Sequence, residues 1–334
     1  MRARHGMGPG TEARHGGKAS RRSGRIAVAA LAAVGLAWVA PRAASAQQAQ
    51  RAILASKLRS QLETIAREVP GVVGIHVVDL TSSERFGVND TLVFAQGSAI
   101  KVALLTELYA EADAGKLDLA ERVPVRRVDQ AGGSGVLQGF GDGTSLVSLH
   151  DLAVLMVVLS DNTATNMLVD RVGMDAVNRR MTALGFPHIR FQRKMIRPEE
   201  SARGNENLAT PAEAAGLMAR IARCELPMSA ARCAEMRGVL EIPKSGSFPD
   251  PIPAGIKVAW KPGTIEGVET AWGIVGLRGR PYAVAVMVNY SNAAAASDAI
   301  RRASATVFDH FSRLAGATAW GTRVPVELME KLKP

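Results

Sequence analysis

Aromatic residues are scarce in this 334-residue chain, and its excess of basic residues is concentrated at one end. Phe, Trp and Tyr together make up 4% of the sequence, which leaves little surface for stacking against nucleic-acid bases. The formal net charge is +10, but residues 1–46 hold eight of the 41 Lys and Arg and one of the 31 Asp and Glu. The other 288 residues therefore have a net charge of only +3. This composition predicts no nucleic-acid partner.

Motifs of several common hydrolase classes are also missing. The chain contains neither an H-E-x-x-H nor an H-x-H-x-D zinc motif, and it has no G-x-S-x-G nucleophile elbow. We therefore expect no metal and no cofactor. Four histidines lie outside residues 1–46, and none stands beside the serines discussed below: His76, His150, His188 and His310.

An apolar run near the start is too short to span a bilayer. It covers Ile26–Ala40, 15 residues, whereas a transmembrane helix needs ~20. Basic residues precede it, and Ala44-Ser45-Ala46 after it is typical of a signal-peptidase site. We predict that residues 1–46 are a signal peptide and that the mature chain, 47–334, is periplasmic or secreted without a membrane anchor. The pattern Ser20-Arg21-Arg22 leaves both Sec and Tat export open.

Only two cysteines are present, Cys224 and Cys233, with eight residues between them. In an oxidising compartment, a pair at the end of one helix and the start of the next is suited to a short disulfide loop. Two buried free thiols are the alternative, because sequence alone does not give the geometry.

Apolar spacing divides the mature chain into two β-rich ends and a helical middle. The ends contain a helix from Gln48 to Glu68, strands over Val72–Leu80, 85–88, Ile256–Trp260, Ala271–Leu277 and Tyr282–Val288, and a closing helix Ala293–Leu314. The predicted middle helices are Ala99–Ala112, Ser148–Leu159, Thr163–Val172, Asp175–Leu184, Pro211–Ala222 and Ala230–Leu240. The pattern predicts a sheet built from both ends, with a pocket where the helical part meets it.

Three short motifs contain residues suited to acyl transfer. Ser98 and Lys101 lie on one face at the start of a predicted helix, where the amine is placed to accept the serine proton. Ser160-Asp161-Asn162 adds a second hydroxyl, and Lys261-Pro262-Gly263 adds a second cation. Taken singly, the motifs fit a surface helix pair, a helix cap and a solvated lysine at a strand end. Their order, with about 60 and about 100 residues between them, favours a serine acyl-transfer site.

With these motifs the chain resembles the class A β-lactamases and related secreted serine hydrolases. Further similarity lies in Leu159–Leu168, Ala209–Pro211 and Lys261–Val275. The resemblance implies an α+β fold, in which an antiparallel sheet of about five strands with flanking helices stands beside an inserted all-helical lobe. We expect residues 47–97 and 245–334 to form the sheet lobe and residues 98–244 the helical lobe.

The same resemblance implies a role for each motif residue. Ser98 looks like the acylated nucleophile, Lys101 its proton acceptor, and Ser160 the proton shuttle to the leaving amine. The implied oxyanion hole consists of the backbone N–H groups of Ser98 and Thr264. The residues implied to bind substrate are Asn162 at its amide, Lys261 at its carboxylate, and Gly263 and Thr264 beside them.

Two departures from the family pattern bear on the reaction. Pro262 replaces a hydroxyl residue that helps to hold the substrate carboxylate, although the Thr264 hydroxyl is a candidate substitute. Met195 falls where most class A enzymes have the glutamate that activates water for deacylation, and a thioether is not a base. Glu199 and Glu200 follow in the same loop and are candidate replacements for that glutamate.

The predicted function is therefore that of a secreted, monomeric, class A-like β-lactamase that hydrolyses the β-lactam amide through an acyl-enzyme. One alternative is a DD-peptidase or penicillin-binding protein that acts on cell-wall peptides and deacylates slowly. Another is a non-catalytic periplasmic domain that binds β-lactams or peptidoglycan fragments. In each case the partner is a small molecule or a cell-wall peptide.

Overall fold

The computed structural model describes residues 48–141, 143–318 and 321–322. Contacts within the chain divide it into two units, Met1–Ala49 and Gln50–Pro334, and the second unit forms the fold described below. The predicted signal peptide and its cleavage site lie outside the described residues. In the part that the structure describes, no helix is long and apolar enough to cross a membrane.

A five-stranded antiparallel sheet combines strands from the two ends of the second unit. Its spatial order is β2-β1-β9-β8-β7, so that β7 and β2 are the edges and β1 pairs with β9. Three two-stranded pairs lie outside it: β3 with β6, β4 with β5, and β10 with β11. The strands are β1 (Val72–Asp79), β2 (Arg85–Val88), β3 (Phe94–Ala95), β4 (Arg122–Pro124), β5 (Leu146–Ser148), β6 (Leu208–Ala209), β7 (Val258–Ile265), β8 (Val268–Val275), β9 (Tyr282–Asn289), β10 (Ala317–Thr318) and β11 (Gly321–Thr322).

Polar side chains mark where several of the helices begin. The side chains of Ser148, Asp161, Thr210, Ser229 and Asn292 each accept a hydrogen bond from a backbone N–H in the first turn, which satisfies a donor that the helix itself cannot. The helices are α1 (48–68), α2 (Lys101–Asp113), α3 (Leu149–Val158), α4 (Asn162–Val172), α5 (Met174–Ala183), α6 (Pro198–Ala202), α7 (Pro211–Arg223), α8 (Ala230–Glu241) and α9 (Ala293–Ala315).

Strand β9 separates two apolar clusters because its side chains alternate between the faces of the sheet. Val284 and Val286 pack with apolar residues of α1 and α9. Ala285 and Met287 belong to the other cluster, which contains the buried side chains of α2. Lys101, the first residue of α2, is therefore held at the junction of the sheet and the helices.

The predicted α+β class is confirmed, and the predicted helices agree with those observed to within about two residues at their ends. The prediction for β7 was wrong, because the strand was expected to end at Trp260 and to leave Lys261 at its end. It runs instead from Val258 to Ile265, so that Lys261 and Pro262 lie within it. Proline is tolerated there because β7 is an edge strand.

The two cysteines form a disulfide between consecutive helices. Cys224 ends α7 in a left-handed conformation, with φ of +53°, and Cys233 lies near the start of α8. Their Cα atoms are 5.7 Å apart, and the two sulfur atoms are bonded. Of the alternatives left open by the sequence, the structure has the disulfide.

Candidate active site

Ser98 lies in a short 3-10 turn, Gly97–Ile100, that leads into α2. Gln96 precedes this turn and is fully buried. Its Oε1 accepts a hydrogen bond from Trp272 Nε1 at 2.9 Å, and its backbone carbonyl accepts one from Thr270 Oγ1 at 2.9 Å. Because both donors belong to β8, these bonds fix the turn that bears Ser98 to the sheet.

Glycines at positions 97 and 263 allow β7 to run directly beside this turn. A Cβ atom on Gly263 would lie 2.1 Å from Gln96 O and 2.6 Å from Ala99 N. Gly97 has φ of +50°, and a Cβ atom there would lie 2.8 Å from Thr264 N. A side chain at either position would therefore push β7 and the turn apart.

The register of β7 turns the N–H of Thr264 away from the sheet. Pro262 stands opposite Ala271 of β8 and has no N–H to donate, so its nitrogen faces outward from the edge. Thr264 is two residues further along and has the same orientation. The N–H of Ser98 likewise has no backbone acceptor among the described residues. Ser98 and Thr264 thus each offer a free backbone donor at one cleft.

Ser160 has a left-handed backbone, with φ of +54°, between α3 and α4. Such a conformation costs on the order of 1 kcal/mol in a residue other than glycine, so its surroundings must stabilise it. Buried Asp161 does so, because its Oδ1 accepts from Ala164 N at 2.9 Å and its Oδ2 accepts from Val136 N at 2.7 Å and Leu137 N at 2.9 Å. Asp161 thereby fixes both the start of α4 and the start of the short 3-10 turn Leu137–Gly139.

Lys101 is fully buried, and its amine contacts the second motif. Its Nζ donates to Ser160 O at 2.7 Å, to Asn162 Oδ1 at 3.0 Å and to Ser160 Oγ at 3.1 Å. Burial lowers the pKa of Lys101 to about 7, while the charge of Asp161 acts in the opposite direction. Within the described residues no hydrogen bond joins this amine to the Ser98 hydroxyl, so Lys101 is coupled directly to Ser160.

Lys261 contacts the same hydroxyl from β7. Its Nζ donates to Ser160 Oγ at 3.0 Å and to Pro262 O at 2.9 Å. Burial, followed by the charges of Lys101 and Lys244, holds the pKa of Lys261 well below its usual value. Two buried amines that share one hydroxyl repel each other when both are charged. The arrangement therefore favours a neutral amine beside Ser160 near neutral pH.

A cleft of about 580 Å³ opens over Ser98. It is lined by residues 264–266 of β7 and the turn that follows it, by Gly133 and Ser134, and by Arg193 and residues 195–198. Asn162 lines the cleft, although its Oδ1 is bonded to a lysine and its Nδ2 donates to Gly132 O at 2.9 Å. The volume lies in the range of small-molecule sites, about 300–1,000 Å³.

Met195 lies in this cleft and is only 5% exposed. Asn166 of α4 holds its backbone, because Asn166 Oδ1 accepts from Met195 N at 2.8 Å and Asn166 Nδ2 donates to Met195 O at 3.2 Å. The loop that contains Met195 is closed by an ion pair, 2.8 Å between Arg193 Nη2 and Glu206 Oε2. A methionine, and not a carboxylate, is therefore fixed in the cleft that Ser98 also lines.

The two candidate replacement bases are not brought to Ser98. Neither Glu199 nor Glu200 lines the cleft, and both belong to the short helix α6 at the surface. Glu200 binds Arg203 at 2.5 Å and Asn205 at 2.7 Å, and the hydrogen bond from Asn205 is the main cause that lowers its pKa. These contacts direct Glu200 to its own helix and loop.

The Thr264 hydroxyl, the candidate substitute for the one missing at Pro262, has an acceptor within the protein. Burial raises the pKa of Glu269, its partner across the strands, and a hydrogen bond with the Thr264 side chain acts in the opposite direction. The Thr264 hydroxyl is therefore engaged with Glu269 of β8.

Two positioning residues at this site, Gln96 and Asn166, are not among the predicted ones. Both are buried amides, and each has its partners far along the chain: Gln96 bonds to Trp272, and Asn166 bonds to Met195. The available signals were weak ones, a polar residue just before the Ser98 turn and an asparagine four residues after Asn162.

Comparison with known proteins agrees with the fold and the motifs. The structure is similar to a beta-lactamase from Sphaerobacter thermophilus, with 30% identity and a TM-score of 0.70, over 77% of this chain and 97% of that one. It is also similar to a mutant of PBP-A described as an acyl-enzyme complex with penicillin G, with 27% identity and a TM-score of 0.70, over 77% and 96% of the two chains.

Curated relatives match over shorter segments. A beta-lactamase of Rhodobacter capsulatus is 27% identical over 152 residues, which are 44% of this chain and 51% of that protein, so the match spans about half of the relative. Together these names support a hydrolase of the β-lactamase type. A sequence model described as the beta-lactamase enzyme family matches residues 57–311. The chain therefore belongs to the beta-lactamase enzyme family.

Proposed function

We propose that this chain is an exported serine enzyme that is acylated at Ser98 by β-lactams and releases the acyl group slowly. The observation that carries the proposal is the pair of buried amines, Lys101 and Lys261, bonded to one hydroxyl, that of Ser160, with Ser98 three residues before Lys101 and lining the cleft. Export is inferred from the signal sequence alone.

In the proposed acylation step, neutral Lys101 accepts the Ser98 proton as the serine Oγ attacks the β-lactam carbonyl carbon. The N–H groups of Ser98 and Thr264 stabilise the oxygen as it becomes negative. The carbon–nitrogen bond of the ring then breaks, and the nitrogen takes a proton from the Ser160 hydroxyl. Lys101 passes the proton that it took from Ser98 to Ser160, so the net result is the transfer of one proton from Ser98 to the nitrogen.

Lys261 supports this step by its charge and its contact with Ser160. When Lys101 is neutral, its lone pair accepts a hydrogen bond from the Ser160 hydroxyl, and the Lys261 amine still donates to the Ser160 oxygen. In the protonated state Lys261 attracts a substrate carboxylate to this end of the cleft. This role does not need the hydroxyl that Pro262 lacks.

Deacylation is proposed to be slow because water beside the ester has no strong base. The Met195 thioether cannot take a proton from water, and Glu199 and Glu200 lie away from the cleft. Among the described carboxylates, the one that lines the cleft is Glu266, which is exposed in the turn after β7. General-base assistance is worth roughly 10²–10⁴ in rate, and its loss leaves the acyl-enzyme long-lived.

A DD-peptidase or penicillin-binding role is the second candidate, and Met195 is the specific observation that favours it. A peptidase transfers its acyl group without the class A glutamate, and the similar PBP-A mutant is described as an acyl-enzyme with penicillin G. Release of terminal D-Ala from a cell-wall peptide, measured beside nitrocefin turnover, separates the two candidates. D-Ala release with negligible nitrocefin turnover supports the peptidase.

The acylation proposal itself is tested by intact-mass measurement after mixing with penicillin G. We expect a single adduct equal to the mass of the drug, mapped by peptide digestion to Ser98. The Ser98→Ala variant must form none, while Ser134→Ala, which changes another serine of the same cleft, must keep it. Absence of an adduct together with absence of turnover in the unaltered protein would contradict the proposal.

A further inference from the structure

We infer that the cleft contains a second recognition site, beyond Ser98, for an acyl substituent that ends in an amino-acid head group with both an ammonium and a carboxylate. This inference rests on the proposed acylation and extends it to the substrate class. Its residues are Arg197 and Glu266, which line the same cleft from different segments of the chain.

In the loop that contains Met195, Arg197 is the basic residue available to bind a ligand. Of the other basic residues there, Arg193 pairs with Glu206, Lys194 with Asp170 and Arg203 with Glu200. Arg197 has no salt bridge among the described residues, and its exposed side chain lines the cleft. An exposed guanidinium at the wall of a cleft is suited to bind a carboxylate in bidentate fashion.

Glu266 supplies the opposite charge. It lies in the two-residue turn between β7 and β8, next to Ile265, and its exposed side chain has no salt bridge to any described residue. Since β7 also presents the N–H of Thr264, a substrate bound at Ser98 extends along this strand toward Glu266. The carboxylate there is placed to bind an ammonium group.

The wall between the nucleophile and these charges is apolar. Met195, Ile196, Pro198 and Ile265 line the cleft together with the two charged residues. Ile196 has φ of +54°, which is unusual for a β-branched residue, and its side chain is 52% exposed. Met195 is buried, Ile196 is half exposed, and both line the cleft, so that the site suits an aliphatic chain that ends in charged groups.

The carboxylate on the ring of the substrate is bound by residues other than Arg197 and Glu266. Lys261 bonds to Ser160, and in the proposed acylation its charge attracts the carboxylate attached to the ring next to the β-lactam nitrogen. A substrate with a zwitterionic acyl substituent therefore makes one ionic contact at Lys261 and two more in the cleft, at Arg197 and Glu266. An uncharged acyl substituent makes only the first.

The test uses one cephalosporin nucleus acylated with α-aminoadipate, with adipate or with hexanoate. The three side chains have the same length and differ only in whether they end in both charges, in the carboxylate or in neither. Acylation efficiency at Ser98 is measured for each by stopped flow and by intact mass. In the unaltered protein we expect the order aminoadipoyl, adipoyl, hexanoyl, with steps of about threefold, the size of a partly exposed ion pair.

Variants test which residue causes each difference in acylation efficiency. Arg197→Ala must remove the advantage of adipoyl over hexanoyl, and Glu266→Gln must remove that of aminoadipoyl over adipoyl, while hexanoyl changes less than about twofold in both. Arg197→Lys must keep part of the advantage. The control Arg203→Ala removes an arginine of the same loop that lies outside the cleft, and it must leave all three ratios unchanged.

The outcomes also separate this inference from the proposed function. Acylation of Ser98 by all three compounds at equal rates, or an equal loss for all three in Arg197→Ala and Glu266→Gln, overturns the zwitterion site and leaves the acyl-enzyme standing. Failure of every compound to modify Ser98 overturns the proposed function. Ratios that shrink with added salt support the ionic contacts, and ratios that are insensitive to salt contradict them.

Discussion

Asn166 binds the backbone of Met195 at both its N–H and its carbonyl, at 2.8 Å and 3.2 Å. A residue on a buried helix thus fixes the place of a loop residue 29 positions further along the chain. The Met195 side chain is held in the cleft whatever its chemical character. A carboxylate introduced here is therefore expected to occupy the same place.

The substitution Met195→Glu is expected to speed deacylation by at least about tenfold, because it provides a base where water can reach the ester. The matched control is Met195→Gln, which has nearly the same shape and no basic carboxylate. Decay of the adduct after removal of free penicillin gives the rate for each variant. Equal decay in the two variants would show that a base at this position is not what the protein lacks.

Acylation is expected to depend on pH through Lys101. Its pKa is lowered to about 7 by burial, so the neutral amine that accepts the Ser98 proton increases as pH rises toward and beyond this value. The acylation rate should therefore rise about tenfold per pH unit below about pH 7 and level off above it. The measurement is the single-turnover acylation rate across this pH range.

The control for the pH profile is Lys101→Arg, whose guanidinium stays protonated in this range. It is expected to acylate at least about a hundredfold more slowly and to show no inflection near pH 7. A flat profile in the unaltered protein, or an unchanged one in the variant, would contradict the assignment of Lys101 as the base.

Asp161 is expected to stabilise the fold as well as the site. The substitution Asp161→Ala removes the carboxylate that accepts hydrogen bonds from Ala164 N, Val136 N and Leu137 N. The loss of a helix cap and of two buried bonds is expected to lower the free energy of unfolding by about 2–4 kcal/mol. Denaturant unfolding measures it, and the exposed helix-start variant Asp175→Ala is expected to cost less than about 1 kcal/mol.

The disulfide is expected to contribute stability without affecting the chemistry. Replacing Cys224 and Cys233 by alanine opens a loop with a sequence separation of nine and should lower the free energy of unfolding by about 2–3 kcal/mol. Acylation of Ser98 should be unchanged, since both cysteines lie outside the residues that line the cleft. A large loss of acylation in a folded double variant would contradict this separation.

The helices and the central strands are predictable from the sequence because their cause is local. Apolar residues recur at helical spacing in α2 and α9 and predict helices. The β-branched runs of β1 and β9 predict strands. The end of β7 was not predictable in this way. A strand can continue through Pro262 only if the proline nitrogen faces an unpaired edge. Whether β7 is an edge strand is decided by the whole sheet.

The candidate site, too, is predictable from the sequence only in part. Residue types and spacing predict Ser98, Lys101, Ser160 and Lys261 as one group, and the structure brings the two lysines to the Ser160 hydroxyl. Sequence spacing did not indicate that the Lys101 amine would bond to Ser160, nor that Glu200 would bind its own loop. Those outcomes depend on side-chain contacts made only after the chain has folded.

The most direct measurement of the central claim is a pulse experiment on the unaltered mature protein. The protein is acylated with penicillin G, free drug is removed, and the Ser98 adduct is followed by intact mass. The account predicts rapid formation followed by decay that is slower than formation by at least about a hundredfold. Loss of the adduct as fast as it forms, with many turnovers of drug per protein, would contradict it.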